Sequence, residues 1–196
     1  TRVRSSAASD VYKRQDQTSE ETLATCYEIG KRQGKTCIVV NDMPGFYVNR
    51  ILCPYLIEGL LMIEEGVRIE DIDGALTSLG MPIGPITLLD EVGIDVGAHV
   101  MSGNMAQLLK GREGFKINYS MPKMFEAGLH GRKAKKGFYN YAMKKGRLRK
   151  TSPNQDAYQY FGNPSPKKID RKEIEERTML MPVSYTHLRA HETKAN

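Results

Sequence analysis

The stretch TCIVVNDMPGFYVNRIL, residues 36–52, decides the fold because it marks a change from an α/β pattern to a helical one. Its first part is short, apolar and β-branched, which predicts a strand buried on both faces, and the turn residues Asn41–Gly45 follow. Its last part begins an apolar helix. Asn49 lies one turn into that helix, where a buried amide would need local backbone or a ligand as its hydrogen-bonding partner.

The segment before this stretch predicts one helix and one strand. TSEETLATCYEIGKRQGK, residues 18–35, begins with Thr18 and Glu21 in capping-box spacing, and Gly34 is typical of a helix end. The run KTCIVV, residues 35–40, supplies the buried strand. A helix followed by such a strand is typical of the last unit of a parallel α/β sheet, whose other strands would precede this chain.

The segment after the stretch predicts further helices and then a polar region. The first predicted helix is residues 46–65, with Pro54 inside and Gly66 as the stop, and IEDIDGALTSLG forms the next, to Gly80. TLLDEVG is a short third helix. A fourth is capped by Asp95 and runs to about Leu109, and SMPKMFEAG, capped by Ser120, is the fifth. GRKAKKGFYNY predicts a basic loop that runs into a strand. The division expected is a remnant of an α/β domain at 16–42, a helical domain at 43–142, a linker at 143–168 and the start of another helical segment at 169–181.

The two ends of the chain resemble translated sequencing-adapter DNA. SSAASDVYKRQ, Ser5–Gln15, matches a transposon-end sequence with its adapter, and PVSYTHLRAHET, Pro182–Thr193, matches the reverse complement in another frame. Residues 1–15 and 182–196 are therefore expected to be non-native. They carry six basic and two acidic residues, so without them the net charge falls from +6 to +2, and charge does not predict a nucleic-acid partner.

Composition excludes several classes of protein. Cys26, Cys37 and Cys53 show neither an even count nor a C-x-x-C spacing, which argues against a disulfide framework and against a metal site. No apolar run reaches the roughly 18 residues of a membrane span, and the N-terminus lacks the apolar region of a signal peptide. The 40% hydrophobic content suffices for one ordinary core.

Three segments together resemble the 3-hydroxyacyl-CoA dehydrogenases, and most of all the dehydrogenase part of the multifunctional α-subunit of fatty-acid oxidation complexes. They are GKTCIVVNDMPGFYVNRIL, IDGALTSLGMPIGPITLLDEVGID and GRKAKKGFYNY, in the family's order and spacing. The resemblance covers roughly residues 18–141, and IEERTMLM is similar to the first helix of a second copy of the helical domain. It implies a mostly α fold: the helical C-terminal domain, which is 6-phosphogluconate dehydrogenase C-terminal-like, after the last helix–strand unit of a truncated Rossmann domain.

The resemblance also implies an activity for the parent protein: NAD-dependent oxidation of 3-hydroxyacyl-CoA to 3-oxoacyl-CoA. The family's catalytic His-Glu pair would lie upstream of this chain, and neither His99 nor His130 matches its position. A G-x-G-x-x-G turn is also missing from the sequence, so the fragment alone is expected to be inactive. The alternative is a non-catalytic helical interaction module.

Two site residues carry over from the family. Asn49 matches the Asn that approaches the reacting oxygen of the substrate, and Lys133 matches a basic residue that reaches the cofactor, NAD. After Lys133 the family often has Thr-Gly-Glu-Gly, whereas this chain has AKKG at 134–137. Without the resemblance, Asn49 is an amide satisfied by nearby backbone and Lys133 a solvated lysine. KKGRLRK, residues 144–150, reads as a solvated segment, with attraction to CoA phosphates or RNA as the alternative.

The implied partners follow from the same resemblance. They are an acyl-CoA substrate, the missing Rossmann domain, a second helical repeat, and either another copy of the chain or a thiolase subunit. The helix at 46–65 is expected to mediate self-association of the isolated piece. The expected compartment is the cytoplasm for a bacterial parent, and the mitochondrion or peroxisome for a eukaryotic one. Gly80, Gly84, Gly93, Pro82 and Pro85 are predicted to serve turns only.

Overall fold

The computed structural model describes residues 18–40, 45, 48–103, 116 and 118–180. The chain divides into two compact units, Thr1–Arg50 and Ile51–Asn196. The described helices are α1 (Glu20–Arg32), α2 (Val48–Glu64), α3 (Ile69–Leu79), α4 (Pro85–Val92), α5 (Ile94–Ser102), α6 (Ser120–Glu126) and α7 (residues 171–180), with 3₁₀ turns at Arg132–Ala134 and Gln155–Phe161. Strands β1 (Tyr139–Lys144) and β2 (Arg147–Pro153) form an antiparallel hairpin. The mostly α fold is thus confirmed, and in the described part of the chain no helix is long and apolar enough to cross a membrane.

In the first unit, α1 forms as predicted but its cap is different. Ser19, not Thr18, is the N-cap, and its hydroxyl accepts a hydrogen bond from the N–H of Thr22 at 3.2 Å. The helix ends at Arg32, and Gly34 follows with a positive φ of 71°. None of its residues is buried.

The predicted strand at 35–40 is wrong for this structure. Residues 35–40 have no strand pairing, and the side chains of Ile38 and Val39 are 52% and 50% exposed. A strand of a parallel sheet is defined by hydrogen bonds to its neighbours, and the described residues offer this segment none. The β-branched run is therefore present without the sheet that would order it.

In the second unit, the core is built around α2. Tyr55, Leu60 and Ile63, which recur at the three-to-five-residue spacing of one helix face, are buried, and Gly66 follows the helix with a φ of +97°. Pro54 lies inside the helix, as predicted. The other large, fully buried side chains come from α2 itself, from the helices that follow it and from the residue before β1: Met62, Ile69, Ile72, Leu76, Ile86, Ile94, Met121, Met124 and Phe138.

Two predicted helix caps in the second unit are also wrong. α5 begins at Ile94 with Gly93 as its N-cap, so Asp95 lies inside the first turn, and its predicted end near Leu109 lies outside the described residues. The N-cap of α6 is Tyr119, not Ser120. The N–H of Ser120 is instead bonded to the side-chain oxygen of Asn118 at 2.8 Å. In both places the prediction assigned the N-cap to a polar residue that lies one or two positions after the true N-cap.

The expected linker at 143–168 also differs from the structure. Its first part forms the hairpin, and in the 3₁₀ turn that follows Ala157 and Phe161 are buried in the core. The hydroxyl of Tyr158 accepts a hydrogen bond from the N–H of Ile69 at 3.0 Å. The polar composition of the segment predicted a linker, although its few apolar residues lie at helical spacing. The boundaries of the domains themselves stay a prediction.

The helix predicted at the end of the chain is confirmed as α7. Ile174 is 2% exposed, and Arg177 forms ion pairs of 2.7 Å with both Glu58 and Glu65 of α2 and its C-terminal edge. α7 thus covers part of the helix that was expected to mediate self-association. The self-association itself stays a prediction.

Candidate functional site

A buried carboxylate, Asp90, holds the loop that carries Lys133. Asp90 is 1% exposed, and its oxygens accept the N–H groups of Phe138 and Tyr139, each at 2.9 Å. The hydroxyl of Tyr141 donates to it at 3.1 Å. Burial raises the pKa of Asp90 to about 6, against the opposing effect of the three hydrogen bonds. α4 and the start of β1 are joined through this one side chain.

A second buried carboxylate, Asp73, serves the start of α4. Its oxygens accept the N–H groups of Ile86 at 2.8 Å and Thr87 at 3.0 Å, so Asp73 caps the start of a helix that lies later in the chain. The hydroxyl groups of Thr87 and Tyr139 also donate to it. Lys150 donates to the Thr87 hydroxyl at 2.7 Å and lies 4.1 Å from the centre of the Tyr139 ring.

These two networks are suited to support rather than to proton transfer. Burial raises the pKa of Tyr139 and of Tyr141, and the neighbouring carboxylates raise both further, so the phenols stay protonated at neutral pH. Both oxygens of Asp73 already accept donors. Asp73, Thr87, Tyr139 and Lys150 line a cavity of about 510 Å³, and the hydrogen-bonding groups of Asp73 that face it are thus already used.

Two glycines make room for these carboxylates. A Cβ at Gly84 would lie 2.2 Å from Oδ1 of Asp73, and one at Gly137 would lie 2.1 Å from Oδ1 of Asp90. Gly84 has an ordinary φ of −73°, so the close approach of Asp73 and not a turn requires glycine there. The prediction that Gly84 serves a turn only is wrong. Gly80 and Gly93 do have positive φ values, of 117° and 108°.

Lys133 lies in the 3₁₀ turn Arg132–Ala134 and is paired with Asp95 in the first turn of α5. The Lys133 side chain is 54% exposed, and the hydrogen bond from it lowers the pKa of Asp95. The Lys133 ammonium lies 3.5 Å from the point that a Cβ on Gly93 would occupy. Lys133 is thus held over the junction of α4 and α5 with part of its surface open to solvent.

Asn49 lies in the first turn of α2, in the part of that helix that belongs to the first unit. Its backbone N–H donates to the carbonyl of Gly45 at 3.1 Å. Its side chain is exposed, and none of the described residues hydrogen-bonds to its amide. Among the described residues, the amide of Asn49 thus lies at the surface, and its role in substrate binding stays a prediction.

Sequence reasoning missed Asp73, Asp90 and Lys150. Each carboxylate lies on the apolar side of an amphipathic helix, and an acidic residue at such a position is a usable signal of a buried acceptor. The partners could not have been identified, because Tyr139 lies 66 positions after Asp73 and 49 after Asp90. Lys150 was grouped with solvated neighbours in a basic run.

The buried carboxylates of Asp73 and Asp90 join helices α3 and α4 to the short aromatic strand β1, within a domain that is otherwise helical. Residues 45–141 match the family described as 3-hydroxyacyl-CoA dehydrogenase, C-terminal domain. Through this domain, the chain belongs to the 3-hydroxyacyl-CoA dehydrogenase family.

Known proteins agree with this assignment. The chain is 47% identical over 131 residues to the fatty acid oxidation complex subunit alpha of Vibrio parahaemolyticus serotype O3:K6, a match that covers 65% of this chain and 18% of that protein. The chain thus spans about a fifth of the length of the curated relatives it matches.

Solved structures are similar as well. (S)-3-hydroxybutyryl-CoA dehydrogenase PaaH1 from Ralstonia eutropha is 36% identical with a TM-score of 0.57, covering 65% of this chain and 45% of that one. The dehydrogenase part of multifunctional enzyme 1 from C. elegans is 26% identical with a TM-score of 0.55, covering 83% and 36%. Because this last likeness covers 83% of the chain, it extends beyond residues 45–141.

Proposed function

We propose that the protein to which this chain belongs oxidises 3-hydroxyacyl-CoA to 3-oxoacyl-CoA with NAD during fatty-acid β-oxidation, and that this chain supplies its substrate-side helical domain. The observation that carries the proposal is the family match over residues 45–141, together with 47% identity to a fatty acid oxidation complex subunit. NAD, when bound, accepts the hydride from the substrate carbon. The proton acceptor and the phosphate-binding turn of this reaction lie outside the residues of this chain.

Asn49 is proposed as the substrate-binding residue. Its exposed amide can donate a hydrogen bond to the substrate's 3-oxygen, because no described residue already occupies it. A donor at that oxygen stabilises the charge that develops there as the hydroxyl proton is lost. Its place in the first turn of α2 fixes the backbone from which it acts.

Lys133 is proposed as a contact to NAD. The residues present fit a supporting role only: Lys133 is half exposed, and Gly93 leaves open the space beside its ammonium. Asp95 neutralises part of its charge and keeps it on the surface of α5. A negatively charged phosphate oxygen would therefore share the ammonium with Asp95 rather than meet an isolated cation.

Asn49→Ala in the longer protein tests the substrate role. Turnover should fall with little change in KM, since the interaction strengthens in the transition state. Loss of one such donor lowers the rate by about 10²–10³ in well-studied oxyanion sites. Asn140→Ala is the matched control, because the described hydrogen bonds of Asn140 go to Ser152 and Thr151 of β2, and it should leave kcat unchanged. An unchanged rate in Asn49→Ala with lowered stability would return Asn49 to a structural role.

This chain alone is expected to produce no NADH from NAD and a 3-hydroxyacyl-CoA. General-base catalysis by itself typically contributes about 10²–10⁴-fold, and its residues are not in this sequence. Absorbance at the nicotinamide band would report the reaction. Turnover above that of a mock preparation would contradict the assignment of the chemistry to a missing domain.

The partners are part of the same proposal. The protein is expected to take acyl-CoA as substrate and to assemble either with another copy of itself or with a thiolase subunit. A relative named as a subunit of a complex supports assembly of some kind. A bacterial protein of this kind would act in the cytoplasm.

A further inference from the structure

The outer end of the β1–β2 hairpin extends away from the core. This hairpin tip, residues 142–149, has the register Ala142↔Arg149, Met143↔Leu148 and Lys144↔Arg147. All of its side chains except the half-buried Leu148 are exposed. Hairpin residues that pack on nothing contribute little to stability, so the core does not explain why the ribbon continues this far.

The turn of the hairpin carries a lysine in an unfavourable conformation. Lys145 and Gly146 both have positive φ values, of 50° and 72°, which is the pattern of a two-residue type I′ turn. Asn, Asp or Gly is the preferred residue at the position of Lys145, because a larger side chain is strained there. Solvent exposure alone therefore does not account for a lysine at that position.

The cations of the tip differ from those at the base of the hairpin. Arg132, Lys133 and Lys136 near the base each form an ion pair, with Glu91, Asp95 and Asp156 respectively. The tip carries four cations that pair with no carboxylate among the described residues: Lys144, Lys145, Arg147 and Arg149. The unpaired positive charge is thus concentrated at the far end of the ribbon.

An apolar side chain lies among these cations. Met143 is 60% exposed, directly opposite Leu148 in the register. The tip therefore combines positive charge with a flexible apolar side chain on a narrow, convex ribbon. Side chains of this mixture are suited to the boundary between lipid head groups and acyl chains.

We propose that the hairpin tip docks on the surface of an anionic lipid bilayer. The four cations contact phosphate head groups, and Met143 inserts at their level. A small anion is disfavoured because neither described cavity includes a tip residue. Nucleic acid is disfavoured because the aromatic residues of β1, Tyr139 and Tyr141, are buried and cannot stack on bases. An acidic protein surface fits less well, since interface cores are depleted of lysine.

The test is co-sedimentation of the 196-residue chain with vesicles of phosphatidylcholine, with or without phosphatidylglycerol. The chain should bind only the anionic vesicles, and added salt should release it. The tip variant replaces Lys144, Lys145, Arg147 and Arg149 by Gln. Its partition coefficient should fall roughly 100- to 1,000-fold, since each cation contributes about fivefold near such a surface.

A matched control separates the tip from overall charge. Replacing Lys35, Lys116, Lys123 and Lys172 by Gln removes the same charge from exposed positions elsewhere, and it should reduce binding much less. Met143→Ser should weaken binding to anionic vesicles without changing its salt dependence. Circular-dichroism melting checks that each variant is folded.

Three results would overturn the proposal. The first is no binding to anionic vesicles, and the second is equal loss in the tip and control variants. The third is tip-dependent binding to single-stranded RNA without binding to vesicles, which would make nucleic acid the partner.

Discussion

Residues 18–40 and residues 51–180 contain equally clear sequence patterns, yet among the described residues the second group forms a core and the first does not. α1 buries none of its residues and the β-branched run after it leaves Ile38 and Val39 half exposed. In the second group, by contrast, even two carboxylates are buried with all their donors in place. The hydrogen bonds of a helix join residues close along the chain, whereas a strand and a core require partners from elsewhere in it. The second group thus contains the packing and hydrogen-bonding partners that its core requires, whereas the first group does not.

The largest expected effect is the loss of a buried acceptor in the second group. Asp90→Ala leaves the N–H groups of Phe138 and Tyr139 and the Tyr141 hydroxyl without an acceptor. We expect the free energy of unfolding to fall by about 3–5 kcal/mol, measured by urea denaturation. Asp156→Ala is the control, because that carboxylate is 63% exposed. A loss below that of the control would show that the N–H groups find other partners.

The next effect comes from added volume beside that carboxylate. Gly137→Ala brings a Cβ within 2.1 Å of Asp90 Oδ1, and overpacking of this kind costs about 1–3 kcal/mol. Gly74→Ala is a matched control inside α3, where a Cβ meets nothing within 4 Å. It should stabilise the protein by about 0.5–1 kcal/mol, since alanine favours helix more than glycine does. Thermal melting should therefore shift in opposite directions for the two variants.

A smaller effect is expected at the attachment of α7. Arg177→Met removes the bonds to Glu58 and Glu65 and should cost about 1–2 kcal/mol, because the pairs are only partly buried. Arg171→Met, at an exposed pair with Glu175, should cost less. If both variants melt alike, the attachment depends on Ile174 rather than on charge.

The same attachment predicts a pH dependence. Hydrogen bonding by Arg177 lowers the pKa of Glu65 from 4.5 to about 2. The folded state thus binds fewer protons than the unfolded state in this window, so the contribution of Glu65 is present above about pH 4.5 and is lost as pH falls toward 2. Stability measured from pH 5 to pH 2 should fall less steeply in Glu65→Gln than in the parent chain. Equal slopes would contradict this prediction.

The smallest effect belongs to the first group. Ile38→Ser with Val39→Ser should change the free energy of unfolding by less than about 0.5 kcal/mol, because both side chains are already half exposed. Ile72→Ser, in the core of the second group, is the contrasting control. Amide exchange at 36–40 should be unprotected. Slow exchange there would show that the segment has found strand partners and that the contrast between the two groups is wrong.

The sequence predicted what depends on neighbours close along the chain. Apolar spacing and glycine stops gave the positions of α2, α3 and α4, and the aromatic segment gave β1. It did not reveal the roles of Asp73 and Asp90, because their partners in and beside β1 lie 48 to 66 positions away. It placed Asn49 in the first turn of α2 but not on the surface, since exposure depends on what else packs there. The binding roles of Asn49 and Lys133 stay predictions.

The contact between the end of α2 and residue 167 has a consequence for synthesis of the protein on the ribosome. The N–H of Lys167 donates to the carbonyl of Gly66, and its side chain reaches Glu65, 102 positions earlier in the chain. At about 5–20 residues per second, roughly 5 to 20 seconds pass between the appearance of the two ends of this contact. During that interval α2 has emerged without the segment that covers it. A nascent chain is thus most exposed to chaperones and to misassembly before α7 arrives, and slow translation of residues 147–177 would lengthen that period.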